Sequence, residues 1–318
     1  MRRRFAPLAS LLLAVSAVAA ACGGSSGGDP YDLLSKAMKA DRDPVQVNLG
    51  LAVTAEGTSI VIDPSQVGFV ADKAAGTGAL HVAIPLVTLG MDPSMLVPLG
   101  FVGDSVEIDV VFDADALYVR SPLLGGLLGN LLAESGDLPD GDLAGWLRLG
   151  TAAELTSLMD LLGAGANLPS ATFPPAGNAG ELKATLEGAG ITLKNEGRQQ
   201  QNGVDAHHLS VALDVEKLLA SDFLGSVDPV ELEAGRTALG QIELKIDLWI
   251  EASSGNLAEV DVKAASTTGT AAVGELTLRF RDPDGTIPTD APDDFVEVPV
   301  NSLIQDLMTL MGAGLFGG

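Results

Sequence analysis

Between Val45 and Phe280, apolar side chains return at every second position in run after run. Val45, Val47, Leu49, Leu51 and Val53 alternate with small or polar residues. The pattern repeats at Ile60 and Ile62, Val67 and Phe69, Leu80, Val82 and Ile84, then Val106, Ile108, Val110 and Phe112. It continues at Leu117 and Val119, at Leu209, Val211 and Leu213, and at Leu257 to Val262 and Leu276, Leu278 and Phe280. The longest run is Ile242, Leu244, Ile246, Leu248 and Ile250. Side chains of a strand point alternately to its two faces, so each run is a strand with one buried face. Short turn signals such as Ala55-Glu56-Gly57, Asp113-Ala114-Asp115 and Ser253-Ser254-Gly255-Asn256 separate them, which makes the neighbours hairpins and the sheet antiparallel.

A few helices interrupt the strands. Pro30 to Ala40 carries Leu33, Leu34, Ala37 and Met38 on one stripe and stops at Asp43-Pro44. Thr151-Ala152-Ala153-Glu154 spells a capping box before a helix through Leu162. Shorter helices are expected over 181–187, 214–220 and from Asp228-Pro229 to Leu239, with a final one over 300–311. The order predicts the α+β class: a large antiparallel sheet with helices on one face. Two apolar inserts, near 85–102 and 121–143, break the alternation. They read either as buried loops and short core helices or as the rim of a cavity mouth, with Leu86, Leu89, Met91, Met95, Leu96, Phe101, Leu123 and Leu124 as the mouth residues.

The N-terminus carries an address. Arg2, Arg3 and Arg4 precede a short apolar stretch from Leu8 to Val18, and Ala19-Ala20-Ala21 leads into Cys22, the only cysteine. A thiol there is what the bacterial lipoprotein pathway acylates before cutting the chain ahead of it, although Ala19 stands where the usual motif has Leu. The alternative is an ordinary secretory signal with an incidental cysteine. Sec export is the default, since Arg2-Arg3-Arg4-Phe5 only partly resembles a twin-arginine signal. Residues 1–21 are thus the signal peptide, 22–29 a Gly/Ser tether after the lipidated cysteine, and 30–318 a single domain. The expected location is the outer face of the bacterial cytoplasmic membrane.

Cleavage removes three arginines and no acid, so the formal charge falls from −24 to −27. Such a surface repels nucleic acid and anionic headgroups, and attachment to the membrane falls to the acyl anchor on Cys22. No disulfide can form within the mature chain, so a packed core must hold it together. Mean hydropathy is +0.31 although 19% of residues are charged. The apolar excess has to be buried or to face an apolar guest.

Catalytic motifs fail on context. Gly23 to Gly27 fits the nucleophile-elbow pattern but lies in the tether, and Gly312 to Gly317 fits a dinucleotide fingerprint but has no helix after it. His207 and His208 are adjacent, so in a strand they point to opposite faces; His81 is expected to face solvent. The acidic clusters at 137–142, 282–284 and 290–294 read as solvated turns. No enzyme, no cofactor and no metal is expected.

Short motifs, in order, carry a resemblance. Tyr31-Asp32-Leu33-Leu34-Ser35-Lys36-Ala37-Met38 leading into Val45 to Leu49 is similar to the opening of the LppX/LprG-type actinobacterial lipoproteins. Gly145-Trp146-Leu147-Arg148, Gly203 to Val211, Leu248-Trp249-Ile250-Glu251 with its hairpin, and Phe280 to Pro292 resemble later elements of the same family. The resemblance implies a LolA/LolB-like fold in which a large curved antiparallel sheet, a half-barrel, wraps helices around an apolar cavity, and a protein that carries or presents lipid. A lipid ligand and envelope transport proteins are the partners implied, with no nucleic acid. Cavity candidates, taken from alternation alone, are Leu49, Leu51, Val106, Ile108, Val110, Leu209, Val211, Leu244, Ile246 and Leu248. Alternation leaves open which of these are core. The other hypothesis is a structural or sensory ectodomain with a filled core, acting through protein contacts.

Overall fold

The computed structural model describes residues 28–40, 42–55, 58–95, 97, 103–113, 116–126, 129, 142–151, 178–221, 236, 240–267 and 273–298. The signal segment, Cys22, most of the tether, Leu96, Phe101 and the helices expected after Thr151, after Asp228 and over 300–311 lie outside these residues. Antiparallel sheet dominates and helices are few, the α+β class that alternation predicts. The chain divides into two compact units, residues 1–65 with 168–282, and 66–167 with 283–318.

The first unit holds seven strands: β1 (Val45–Ala55), β2 (Thr58–Ile62), β8 (Ile191–Gln201), β9 (Val204–Leu213), β10 (Ile242–Glu251), β11 (Leu257–Ser266) and β12 (Val273–Arg281). They pair antiparallel in the order β2-β1-β12-β11-β10-β9-β8. Register aligns the alternating residues into rows. One row runs Leu51, Leu276, Val262, Ile246, Val211, Leu193 across six strands, and the next runs Leu49, Leu278, Val260, Leu248, Leu209, Asn195. A one-residue slip in any strand would turn its apolar set to the other face, so these rows pin the register.

Helices α1 (Pro30–Ala37) and α2 (Ala179–Gly188) pack on those rows through Tyr31, Leu33, Leu34, Ala37, Leu182 and Leu186. Both begin where a side chain satisfies the free N–H groups of the first turn. Asp29 caps α1 ahead of Pro30, and Asn178 accepts from the Glu181 N–H at 2.9 Å while donating back to the Glu181 carboxylate. Tyr31 ties α1 to its surroundings: its hydroxyl donates to Glu187 Oε1 at 3.0 Å and accepts from the Leu193 N–H at 3.2 Å. A third helix, α3 (Val215–Ala220), is capped by Asp214 and packs Leu218 near Ile191 and Leu244.

The second unit holds six strands: β3 (Val67–Asp72), β4 (Thr77–Pro85), β5 (Ser105–Phe112), β6 (Leu117–Arg120), β7 (Trp146–Arg148) and β13 (Val296–Glu297). They pair in that order, antiparallel except for the parallel β7–β13 pair. Again one apolar row crosses all six: Phe69, Leu80, Val110, Val119, Leu147, Val296. Phe112 lies over Gly78, its partner across the strands, where a Cβ would come within 2.2 Å of the ring. Glycine is required there by the ring rather than by the backbone.

Candidate functional site

Alternation predicts a buried face in each unit, and the two units treat that face differently. In the first unit, Leu209, Ile246 and Leu248 are buried in a core completed by α1 and α2. Leu49, Leu51, Val211 and Leu244 sit at the margin of that core, half-buried and packed against it. In the second unit, Val106, Ile108 and Val110 are all half-buried, while the intervening Asp109 and Val111 are buried. The buried residues of β3 to β5 lie on the opposite face, where Val70, Ala79 and Val111 cluster with Tyr118 of β6 and are closed over by Ile287 and Trp146.

Val67, Leu80, Val82, Ile84, Val106, Ile108 and Val110 therefore form a half-buried aliphatic surface, with Phe69 exposed at one end of it. Phe69 and Phe112 stack at 6.3 Å on the same face. At the other end the row becomes fully buried, with Leu147 packed against Val298, Leu124 and Leu143. These side chains carry no donor, acceptor or charge, so contact with this surface rests on exclusion of water and fit rather than on hydrogen bonds.

The mouth residues separate along their loop. Leu86 is fully buried against Val106 and Leu123; Leu89, Leu123 and Leu124 are half-buried; Met91 is exposed. Met95 ends a 3-10 turn, Pro93–Met95. The loop is thus neither uniformly core nor uniformly exposed.

The faces opposite the apolar rows carry buried polar networks that alternation does not disclose. In the first unit, Asp247 and Asp261 are direct cross-strand partners, and both are buried. Asp247 accepts from His208 Nε2 at 2.7 Å and pairs with Lys245 at 2.8 Å. Burial alone would push its carboxyl up; the Lys245 and His208 contacts outweigh that and hold it below the ordinary range. Asp261 accepts from the Thr277 hydroxyl at 2.7 Å, and burial pushes its carboxyl up. Glu259 is enclosed by Gln201, Asn202 and the Arg279 guanidinium, the last at 2.9 Å. His208 stacks flat on Trp249 with ring centres 4.9 Å apart.

The second unit repeats the device. His81 Nδ1 lies 2.7 Å from Asp109 Oδ1, Arg120 holds the other carboxylate oxygen at 2.7 Å, and the Arg120 guanidinium sits 5.1 Å from the Trp146 ring centre. His81, expected to face solvent, is half-buried, on the same face of β4 as the buried Ala79. His207 and His208 do diverge: His208 meets Asp247, while His207 lies beside Ile250, and burial lowers its imidazole. The sequence signal for these networks is faint, a charged residue placed inside an otherwise apolar strand, as at Asp109 and Asp247.

Among the described residues no helix is long and apolar enough to cross a membrane, and no three His, Cys, Asp or Glu side chains are grouped to hold a metal ion. No protein-family model matches the chain, and no curated protein does. Among solved structures it is similar to the lipoprotein LppX of Mycobacterium tuberculosis, with 12% identity and a TM-score of 0.35 over 82% of this chain and 100% of that one. LprF from Mycobacterium bovis gives 15% identity and a TM-score of 0.36 over 85% and 100%. A LolA superfamily protein from Nitrosomonas europaea gives 9% and 0.22 over 84% and 99%. The chain resembles the LppX and LolA-type proteins.

Proposed function

We propose that this chain is an exported lipoprotein, held on the outer face of the bacterial cytoplasmic membrane by acylated Cys22, that binds the acyl chains of a lipid and carries or presents it at the cell envelope. The observation that carries this reading is the half-buried aliphatic face of β3 to β5, built from Val67, Leu80, Val82, Ile84, Val106, Ile108 and Val110. Strands with alternating pattern ordinarily bury that side and expose the other. Here the buried residues Val70, Ala79, Asp109 and Val111 lie on the other side, which leaves a surface suited to a guest with methylene groups and no polar demands. Each buried methylene contributes roughly 0.8 kcal/mol. Ten of them give about 8 kcal/mol before the cost of ordering the chain, which is micromolar binding at best. Reversible loading of that strength suits a carrier better than a permanent cofactor site. No catalytic step is proposed: the His81–Asp109 and His208–Asp247 pairs each have the second carboxylate oxygen tied to a cation, and both serve to join strands.

Titration with a fatty acid bearing an anthroyloxy fluorophore tests the reading. The complete mature chain, residues 22–318 with Cys22→Ser, is expected to bind it saturably in the micromolar range. Ile108→Trp, at a half-buried position, is expected to weaken binding at least tenfold with an unchanged circular dichroism spectrum. Absence of saturable binding by the folded chain would sink the proposal.

A further inference from the structure

The loop that joins β4 to β5 exposes apolar side chains. Val87 is 80% exposed, Val97 60% and Met91 39%, three exposed apolar residues within eleven positions of a chain whose charged residues make up 19%. Between residues 86 and 97 the only charged side chain is Asp92. That carboxylate is committed to its own turn, accepting from the Ser94 N–H at 2.9 Å. The loop is anchored by Leu86, which is buried against Val106 and Leu123, so the exposed residues stand on a fixed base.

The strands that enter and leave this loop carry the half-buried aliphatic face. Ile84 and Val106 are cross-strand partners at the loop end of the hairpin, followed by Val82 with Ile108 and Leu80 with Val110. Exposed apolar loop residues and aliphatic face are therefore continuous along one hairpin of the second unit.

We propose that the β4–β5 loop is a bilayer contact, inserting Val87, Met91 and Val97 among the acyl chains of a phospholipid membrane so that a lipid tail passes from the bilayer onto the aliphatic face beside Ile84 and Val106. The proposal rests on the carrier reading above and names how its site is loaded. A bilayer, rather than a protein, is the occupant for two reasons. Among its described residues the loop offers aliphatic groups and Met91, with no aromatic or arginine anchor of the kind that dominates protein hot spots. The tether from Cys22 to Asp29, which caps α1 in the first unit, spans at most about 25 Å when extended, so an acylated chain never leaves the neighbourhood of a bilayer. Asp92 limits the depth to the interfacial zone, and contact of this size is weak and reversible.

Cys22 is the only cysteine, so the mature chain with Cys22→Ser accepts a single environment-sensitive NBD label at a new cysteine. Val87→Cys places it on the loop; Val61→Cys, 56% exposed in β2, is the control. With phosphatidylcholine vesicles in 150 mM salt (roughly an 8 Å screening length), the label at 87 is expected to brighten at least threefold and shift to the blue, and the label at 61 to stay unchanged. The double variant Val87→Asn, Val97→Asn is expected to take up fatty acid from vesicles at least tenfold more slowly, with equilibrium binding in solution unaltered. An unresponsive label at 87, in a chain that binds fatty acid saturably, overturns the bilayer contact and leaves the carrier reading standing. Equal brightening at 61 and 87 also overturns it. A response at 87 without fatty-acid binding supports the contact and removes the carrier.

Discussion

Asp247 and Asp261 face each other across β10 and β11, two buried carboxylates that the register places side by side. Their environments push them in opposite directions: Asp247 is lowered once Lys245 and His208 outweigh burial, and Asp261 is raised by burial. The signs follow from linkage. Asp247 contributes stability above its unfolded pKa, and that contribution is lost as pH falls through its lowered folded value. Asp261 does the reverse: its contribution is complete below its unfolded pKa and is lost as pH rises through its raised folded value. Asp261→Asn relieves a directly opposed like-charge pair, worth roughly 0.2–1 kcal/mol. The variant is therefore expected to melt about 1–2 °C higher than the parent near pH 7. Below about pH 4, where Asp261 is protonated in both states, the gain disappears. Asp247→Asn is expected to lower stability at pH 7, because His208 and Lys245 lose the anion they share. Thermal melts across pH check all of this.

At the scale of elements, the apolar rows decide which substitutions matter. Leu209 is fully buried in the row that crosses the first unit, and Leu209→Ala is expected to cost about 3 kcal/mol in urea unfolding. Val211, half-buried two residues on, should cost about 1 kcal/mol or less when cut to alanine. In the second unit, Gly78→Ala drives a methyl group into the Phe112 ring and is expected to destabilise by about 1–3 kcal/mol. Much of this architecture was legible in the sequence. The strands with long alternating runs, from Val45 to Ala55 and Ile242 to Glu251, and the capped helix Pro30–Ala37 lie where pattern and caps place them. Strand β8 was not legible, because ITLKNEGRQQQ alternates only over its first residues and is polar beyond them. Its signal was the turn instead: Asn202 and Gly203, both at positive φ, close a two-residue hairpin onto β9. The candidate site was half legible. Alternation found Val106, Ile108 and Val110 but says nothing of which face is covered, and that depends on Ile287, far along the chain. The cross-strand networks of Asp109 and Asp247 depend on register, which no single strand contains.

For the whole molecule, the account joins three properties of one chain: a cysteine, Cys22, that follows an apolar N-terminal stretch, a mean hydropathy of +0.31, and an aliphatic sheet face left half-buried. The first is tested by fractionation. Cys22→Ser, produced in a bacterium with the lipoprotein pathway, is expected to move the exported chain from the membrane fraction to the soluble fraction. The second and third meet in the bound lipid. Native mass spectrometry of the mature Cys22→Ser chain, after incubation with phospholipid vesicles and their removal, measures that directly. The account predicts one lipid adduct per chain at the intact folded mass, absent from Ile108→Trp. A clean apo mass from a chain that keeps its fold, under conditions that preserve a fatty-acid complex of an established carrier, would contradict it.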